Sequence, residues 1–350
     1  MSAAFAIAGR EIGPGRPVYL VAEMSANHGQ DFDVAVRILR AAREAGADAV
    51  KIQTYTPDTM TLDCDRPEFR IGKGTLWEGK TLYRLYGEAF TPWEWQPKLK
   101  AEAESLGLQF FSTPFDDTAV DFLEGLGVPA HKIASFELVD TRLLRKVART
   151  GKPVILSTGM ASREEIDEAV ATLRAAGCAQ LALLKCTSAY PARPEEMNLR
   201  TIPDLARRHG VPVGLSDHTL GISAAVAAVA LGACVIEKHF TLRRADGGPD
   251  SAFSLELHEF KAMAQAVREA EKALGAVSYE IAEHEKASRV FRRSLFVVAD
   301  MAAGAAFTER NVRSIRPGDG LPPKHLEQVL GRKAARAIAR GTPLAWDLVS

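Results

Sequence analysis

The chain has 350 residues, with 44 Lys and Arg against 44 Asp and Glu, and this even balance gives no reason to expect nucleic acid or another polyanion as partner. Hydrophobic residues make up 47% and charged residues 25%, ordinary globular values that exclude a disordered or fibrous chain, and the length suggests about two domains. No apolar run reaches about 18 residues, so no membrane partner is expected. Cys64, Cys178, Cys186 and Cys234 show no CxxC spacing, and "MSAAFAIAGREIG" lacks a charged leader with an apolar core; both features predict a reduced, cytoplasmic protein. The balance hides an asymmetry, because residues 286–350 carry 12 basic against 5 acidic side chains. A solvated surface or contact with an anionic ligand or an acidic neighbour would each account for that.

In chain order, short β-rich runs recur between helical stretches: "VYLVAEM" (18–24), "AVKIQTY" (49–55), "QFFSTPF" (109–115), "AHKIASF" (130–136), "PVILSTG" (153–159), "LALLKCT" (181–187), "VPVGLSDH" (211–218) and "CVIEKHF" (234–240). Eight such repeats predict an α/β fold, a (β/α)8 TIM barrel over residues 1–282. Helix boundaries carry their own signals. Thr91 is expected as an N-cap, with Pro92 at the first helical position and Glu94 as capping-box partner, in a helix that Gly107 stops; Ser162 and Glu165 repeat the device ahead of Gly177. The second interval is nearly twice as long as most because of residues 56–91, "TPDTMTLDCDRPEFRIGKGTLWEGKTLYRLYGEAFT". Placed after a strand's C-terminal end, it predicts a lid or substrate wall over the active face of a barrel. Leu257, Phe260, Met263, Val267, Ala270 and Leu274 then recur at helical spacing, as the closing helix requires. A polar linker is expected at 283–293 and a small β-rich domain at 294–350, punctuated by "RPGDGLPP" and "ARGTPL".

Three ionisable side chains interrupt the apolar run "CVIEKHFTL" (234–242), and leaving them unpaired in an interior would cost several kcal/mol. With a side-chain period of two, Glu237 and His239 share one direction, as do Ser216 and His218 on the preceding strand. A lone histidine there would be a hydrogen-bonded core residue. Two on adjacent strands, with Glu23 on the strand that closes the barrel, predict a site for Mn²⁺, Fe²⁺ or Zn²⁺. Lys51, Lys132, Lys185 and Lys238 also lie near strand ends, with hydroxyls at similar depth on Thr113, Ser135, Ser157 and Ser216. They predict either buried ion pairs or a pocket for a phosphate or phosphate-carboxylate. Without a P-loop or GxGxxG, a nucleotide is not favoured. Parity sets Lys185 and Lys238 behind Lys51 and Lys132. It also forbids Lys132 and Ser135 from sharing a direction in one regular strand, so one of them must lie past its end.

The segments "AEMSANH", "KIQTY", "STPFD", "KIAS", "LSTGM", "CTSAYP", "LSDHT", "GACVIEKHFTL" and "GGPDSAFSLE", in this order at strand ends, resemble the sialic acid synthase family. Its members condense phosphoenolpyruvate with an N-acetylated amino sugar. The likeness runs from Val18 to Val349, and the tail resembles the family's small SAF (antifreeze-like) domain. Within the family, "AEMSANH", "TLYRLYGEAFTPWEW" and "DGGPDSAFSLE" are similar to the pseudaminic acid synthase branch. Members making neuraminate typically read "GPDH" and "CTN" where this chain has Gly248 to Ser251 and Cys186 to Ser188.

The resemblance implies 2,4-diacetamido-2,4,6-trideoxy-altrose as the sugar, with neuraminate or legionaminate synthesis as the alternative, and a divalent metal ion, Mn²⁺ ahead of Mg²⁺ or Co²⁺. It makes His218 and His239 metal ligands, with Glu23 on or beside the metal. Lys51, Thr113, Lys132, Ser135, Ser157, Ser188 and Ser216 match the phosphoenolpyruvate pocket, and Gln53, Glu137, Tyr190 and Asp250 match positions that hold the sugar. Arg316 matches an arginine that the small domain sends into the other subunit's active site, which implies a domain-swapped homodimer. The chemistry then falls to Glu23, Lys51, Glu137, His218 and His239, with Glu23 ahead of Glu137 as the group that orients or deprotonates water. A Schiff-base aldolase using Lys51 or Lys132, or a non-catalytic sugar-binding protein, are the other classes.

Overall fold

In the computed structural model, which describes residues 5–350, eight parallel strands close into a barrel. They are β1 (Tyr19–Glu23), β2 (Ala49–Thr54), β3 (Gln109–Pro114), β4 (His131–Ile133), β5 (Val154–Ser157), β6 (Leu181–Cys186), β7 (Val213–Asp217) and β8 (Val235–His239), each inside its predicted run. Closure is between β8 and β1, with Val235 opposite Tyr19 and His239 opposite Glu23.

The alternation of side chains sorts each strand onto two faces. Leu20, Val50, Phe110, Ile133, Leu156, Leu183, Leu215 and Ile236 pack outward in the layer shared with the helices. Tyr19, Val21, Ala49, Phe111, Ile155, Leu184 and Val235 form an inner cluster with Phe5, Ile7 and Ile12. The last three lie in or directly beside the hairpin Ala6–Ile7 and Arg10–Glu11, which plugs the N-terminal end. Gly214 is glycine because a Cβ there would collide with the Val235 carbonyl and stand 2.7 Å from Leu184 Cδ2. Following the inward parity to the strands' C-terminal ends turns Val21 into Glu23, Ala49 into Lys51, Phe111 into Thr113, Ile155 into Ser157 and Val235 into Glu237. A polar layer therefore stands on an apolar one.

Eight helices cover the barrel: α1 (Phe32–Glu44), α2 (Gln96–Ser105), α3 (Asp117–Leu126), α4 (Thr141–Ala148), α5 (Arg163–Ala175), α6 (Thr201–His209), α7 (Ser223–Ala230) and α8 (Leu257–Leu274). At α5, Glu165 N donates to Ser162 Oγ at 3.2 Å and Ser162 N donates to Glu165 at 2.7 Å, the reciprocal cap expected there. The cap expected at Thr91 does not form. Pro92 precedes a 3-10 turn, Trp93–Trp95, and α2 begins after it without a side-chain cap. The Thr91 hydroxyl instead lies 3.1 Å from Nε2 of the fully buried His28, whose polar atom needs that partner more than a partly exposed helix end does. α8 buries Phe260, Met263 and Val267 but leaves Leu274 exposed.

The chain forms two compact units that meet between Gly275 and Ala276. In the second, β9 (Ser294–Val297) pairs antiparallel with β10 (Val312–Ile315) over a core that includes Leu295, Val297, Phe307, Val312 and Leu344. Residues 283–293, expected as a linker, contain the short helices Glu283–Lys286 and Ala287–Phe291 and are exposed throughout. Among the described residues, no helix is long and apolar enough to cross a membrane.

Lys238 settles part of the "CVIEKHFTL" puzzle. Its parity points it out of the barrel, where Nζ donates to Asp217 at 2.7 Å and to the Thr219 carbonyl at 2.6 Å, all fully buried. Removing one partner strands the other charge, so Lys238→Met is expected to lower stability by about 3–5 kcal/mol in urea denaturation. Adding Asp217→Asn should recover part of that loss. A single variant as stable as wild type would rule out this role for the pair.

Candidate active site

At the C-terminal mouth of the barrel, Lys51 Nζ lies 2.6 Å from Glu23, donates to Thr113 Oγ1 at 3.2 Å and stands 3.8 Å from Glu237. Lys132 Nζ donates to Ser157 Oγ at 2.7 Å and also stands 3.8 Å from Glu237 Oε1, the oxygen that accepts from Ser216 Oγ at 3.1 Å. Every one of these groups is buried. Burial would raise the Glu237 pKa, but Lys132 and Lys51 hold it below the usual carboxylate value. For Glu23, burial prevails over the pull of Lys51 and the pKa is raised. Burial lowers the Lys132 pKa, whereas Glu23 and Glu237 overcome burial at Lys51 and raise it. Glu237 is the residue the sequence reading left out of the site, although it shares the parity of His239.

Ser135 lies past the end of β4, at the start of the turn Phe136–Val139, as the parity of Lys132 demands. Gly159 N donates to Ser135 Oγ at 3.0 Å. A Cβ on Gly159 would collide with the Ser188 hydroxyl and stand 2.8 Å from Ser135 Oγ, so only glycine lets these two hydroxyls converge beside the lysines. Lys185 faces away, donating to the Cys186 carbonyl at 2.6 Å and to Thr187 Oγ1 at 3.1 Å.

His218, just past β7, and His239, at the end of β8, face each other with ring centroids 5.3 Å apart and planes at 62°. Tyr190 packs on His218 at 4.5 Å and Phe253 on His239 at 4.8 Å. Since the Thr187 carbonyl can only accept, the 3.0 Å contact makes His218 Nδ1 the donor and leaves Nε2 as the lone-pair nitrogen of the neutral ring. Burial first, then the neighbouring His218, Lys51, Lys238 and Lys132, hold the His239 pKa well below its ordinary value, so this ring is neutral; its buried Nδ1 has no hydrogen-bond partner. Burial would lower the His218 pKa, but Cys186, the Thr187 carbonyl and Glu237 outweigh it and raise the pKa. Two imidazoles, one oriented by a carbonyl, are ligand types that suit a divalent transition metal once His218 gives up its second proton. Glu23 is turned to Lys51 and Gln53, however, and among the described residues no group of three His, Cys, Asp or Glu side chains is arranged to hold a metal ion.

Beside the imidazoles opens a cavity of about 370 Å³. Its polar lining includes Gln53, Glu137, Tyr190, His239 and Asp250, bringing the four sequence-derived sugar positions of the barrel together. Gln53 Nε2 donates to Glu23 at 3.1 Å and to Ser25 Oγ at 2.9 Å, and Ser25 in turn donates to Asp250. Burial pushes the Glu137 pKa up to about 7, and one of its oxygens has no partner. The loops after β1 and β8 are tied by Asn27 Nδ2, which donates to the Phe240 carbonyl at 3.0 Å and to Ser254 Oγ at 2.8 Å. Insertion residues 56–91 supply a further side of the cavity, with Trp77 Nε1 donating to the Pro249 carbonyl at 2.9 Å. Arg316 lies in the second unit, exposed just past β10.

A closed eight-stranded barrel whose mouth gathers lysines, hydroxyls and paired imidazoles beside a small-molecule cavity, followed by a small β-rich unit, has the make-up of an anion-handling TIM-barrel enzyme. The sequence matches the NeuB family over residues 38–279 and the SAF domain over residues 292–350. The chain belongs to the NeuB family. It is 46% identical to pseudaminic acid synthase of Campylobacter jejuni, over 94% of this chain and 96% of that protein. Against the Helicobacter pylori protein of the same name the identity is 45%, over 95% of this chain and 98% of that one. Among solved structures, an N-acetylneuraminic acid synthetase from Leptospira borgpetersenii in complex with citrate superimposes with a TM-score of 0.73 at 32% identity, over 82% of this chain and 95% of that one.

Proposed function

We propose that this protein condenses phosphoenolpyruvate with 2,4-diacetamido-2,4,6-trideoxy-altrose to give pseudaminic acid and phosphate. The observation carrying the reading is the buried layer in which Lys51 and Lys132 both stand 3.8 Å from Glu237 next to the facing imidazoles. Likeness to two pseudaminic acid synthases supports this sugar over the N-acetylmannosamine of a neuraminate synthase.

In this reading Lys51, Lys132 and the hydroxyls of Thr113, Ser135, Ser157, Ser188 and Ser216 grip the phosphate and carboxylate of phosphoenolpyruvate by charge-assisted hydrogen bonds. Gln53, Glu137, Tyr190 and Asp250 hold the open-chain sugar so that its aldehyde carbon meets the enol carbon. Carbon–carbon bond formation leaves a cation at the former enol carbon, water adds there, and phosphate departs. Glu23, whose raised pKa makes it the readier proton acceptor, orients or deprotonates that water, a role worth about 10²- to 10⁴-fold. His218 and His239, with Glu23 on or beside the ion, would hold a divalent metal, Mn²⁺ ahead of Mg²⁺ or Co²⁺; when bound it supplies Lewis acidity toward the sugar carbonyl.

The reading extends to a cytoplasmic setting, which the four free cysteines support. It extends also to a domain-swapped homodimer in which the exposed Arg316 serves the active site of the partner subunit. A fully active monomer in sedimentation-controlled assays would remove that last element.

Incubation with phosphoenolpyruvate and each of three sugars, the altrose-derived one, its legionaminate-forming counterpart and N-acetylmannosamine, is expected to give product and phosphate fastest with the first. Chelation should abolish turnover and added Mn²⁺ should restore it. Product from N-acetylmannosamine alone would overturn the choice of sugar.

Glu137 gives a pH dependence of its own. Its carboxyl is protonated below about 7 and ionised above, and the ionised form is the stronger acceptor for sugar hydroxyls. The KM for the sugar is therefore expected to fall as pH rises through neutrality while the KM for phosphoenolpyruvate stays level. In Glu137→Gln the sugar KM should be flat across this range; a variant that keeps the wild-type slope assigns the titration to another group.

A further inference from the structure

The reaction just proposed leaves residues 56–91 without a task, yet they are built rather than loose. Thr56 caps the short helix Pro57–Met60 and Thr81 caps the helix Leu82–Ala89, accepting from Arg84 N at 3.2 Å. Tyr83 Oη donates to Asp58 at 3.2 Å and joins the two helices. Trp77 Nε1 donates to the Pro249 carbonyl at 2.9 Å, fastening the segment to the loop that carries Asp250. Its indole packs 5.8 Å from Tyr190, and Tyr86 packs 5.7 Å from Tyr55.

The face this segment turns to the cavity consists of Met60, Trp77, Leu85, Tyr86 and Ala89. Of these only Trp77 and Tyr86 carry a polar atom, and the indole N–H is already taken by Pro249. The remaining polar groups of the lining come from the barrel's own strand ends and loops. One side of the bound sugar thus meets donors and acceptors, and another meets the methyl and methylene groups of Met60, Leu85 and Ala89, with the Tyr86 hydroxyl the one further side-chain donor on that face. A hydroxyl pressed against Met60, Leu85 or Ala89 would lose its water without gaining a partner, whereas a methyl group there would bury apolar surface.

We infer that the insertion is the specificity wall of the sugar site: Met60, Leu85 and Ala89 favour a deoxygenated carbon and an acyl methyl group and disfavour hydroxyls at those positions. The inference rests on the proposed reaction and deepens it, because two of the three candidate sugars, the altrose-derived one and N-acetylmannosamine, differ in this respect. The trideoxy sugar carries an acetamido group at C4 and no oxygen at C6; N-acetylmannosamine carries hydroxyls at both. An apolar wall of this kind discriminates against an added hydroxyl by about 10²-fold at most.

The test is the ratio of kcat/KM for the trideoxy sugar to kcat/KM for N-acetylmannosamine, measured on the full-length enzyme. Met60→Gln and Leu85→Asn, which place polar groups in the wall, are expected to lower the ratio about 10-fold or more with the KM for phosphoenolpyruvate unchanged. Met60 is only partly buried, so its variant remains informative if the Leu85 variant fails to fold. Leu62→Ser, on the same segment but 64% exposed and outside the lining, should leave the ratio as in wild type. An equal fall in Leu62→Ser would overturn the wall, since the ratio would then report the fold of the insertion. A wild-type preference for the trideoxy sugar that survives Met60→Gln sinks the wall alone; wild-type turnover of N-acetylmannosamine alone sinks the proposed reaction as well.

Discussion

Glu237 is the counter-charge on which the mouth of the barrel depends. Its Oε1 stands 3.8 Å from both Lys51 and Lys132, groups that without it would be two like charges buried together. Burying an ion without its partner costs several kcal/mol, and Lys132, whose one carboxylate partner within 4 Å is Glu237, would then be driven to shed its proton and cease to be an anion-binding group. Glu23 takes a further share of Lys51, so the layer holds two ammonium groups against two carboxylates. A ligand bringing both a phosphate and a carboxylate must therefore draw the lysines away from their carboxylates or be met by added positive charge. A divalent ion held by His218 and His239, as proposed, would supply charge of the required sign. Glu23, its pKa raised by burial, is the carboxylate readier to take up a proton as the charges rearrange.

The layer is exact in position because of what lies beneath and around it. Tyr19, Val21, Phe111, Ile155, Leu184 and Val235 fill the barrel below, closed from the far end by Phe5, Ile7 and Ile12, and the strand ends cannot sink into that packed volume. From above, Asn27 ties the first loop to the last, Ser25 bonds Asp250, and Trp77 fastens the insertion to Pro249. Side chains held by such supports need little reordering when a ligand arrives, which is the source of much of the rate advantage of a bound geometry.

The fold was legible because its signals are local. Short β-rich runs recurring between helical stretches marked all eight strands, and the side-chain period of two distinguished Lys51 and Lys132 from Lys185 and Lys238. What escaped depends on distant partners. Thr91 reads as a helix cap in its own neighbourhood, but His28, far away in sequence, claims its hydroxyl. Gly159 gives no local sign that two serines from other loops converge on it, and nothing near Trp77 announces a bond to Pro249. Glu237 is different: the parity that selected His239 also selects it, and the signal was present in the run itself. The strand ends themselves grouped Thr113, Ser135, Ser157 and Ser216 with the lysines, and the resemblance to a known family added Ser188 and the sugar positions.

The run "CVIEKHFTL" shows why three ionisable side chains can share one buried strand. Ser216 on β7 bonds Glu237 on β8 inside the barrel at 3.1 Å, while Asp217 on β7 accepts from Lys238 on β8 outside it at 2.7 Å. The two strands are thus joined by polar contacts on both faces. A slip of one residue would carry Lys238 into the mouth and Glu237 among the helices, breaking both contacts and stranding charges on each side. The pattern of alternating charges that makes the strand look improbable as a core element is what fixes its register, and with it the separation of the imidazoles from the lysines at the barrel mouth.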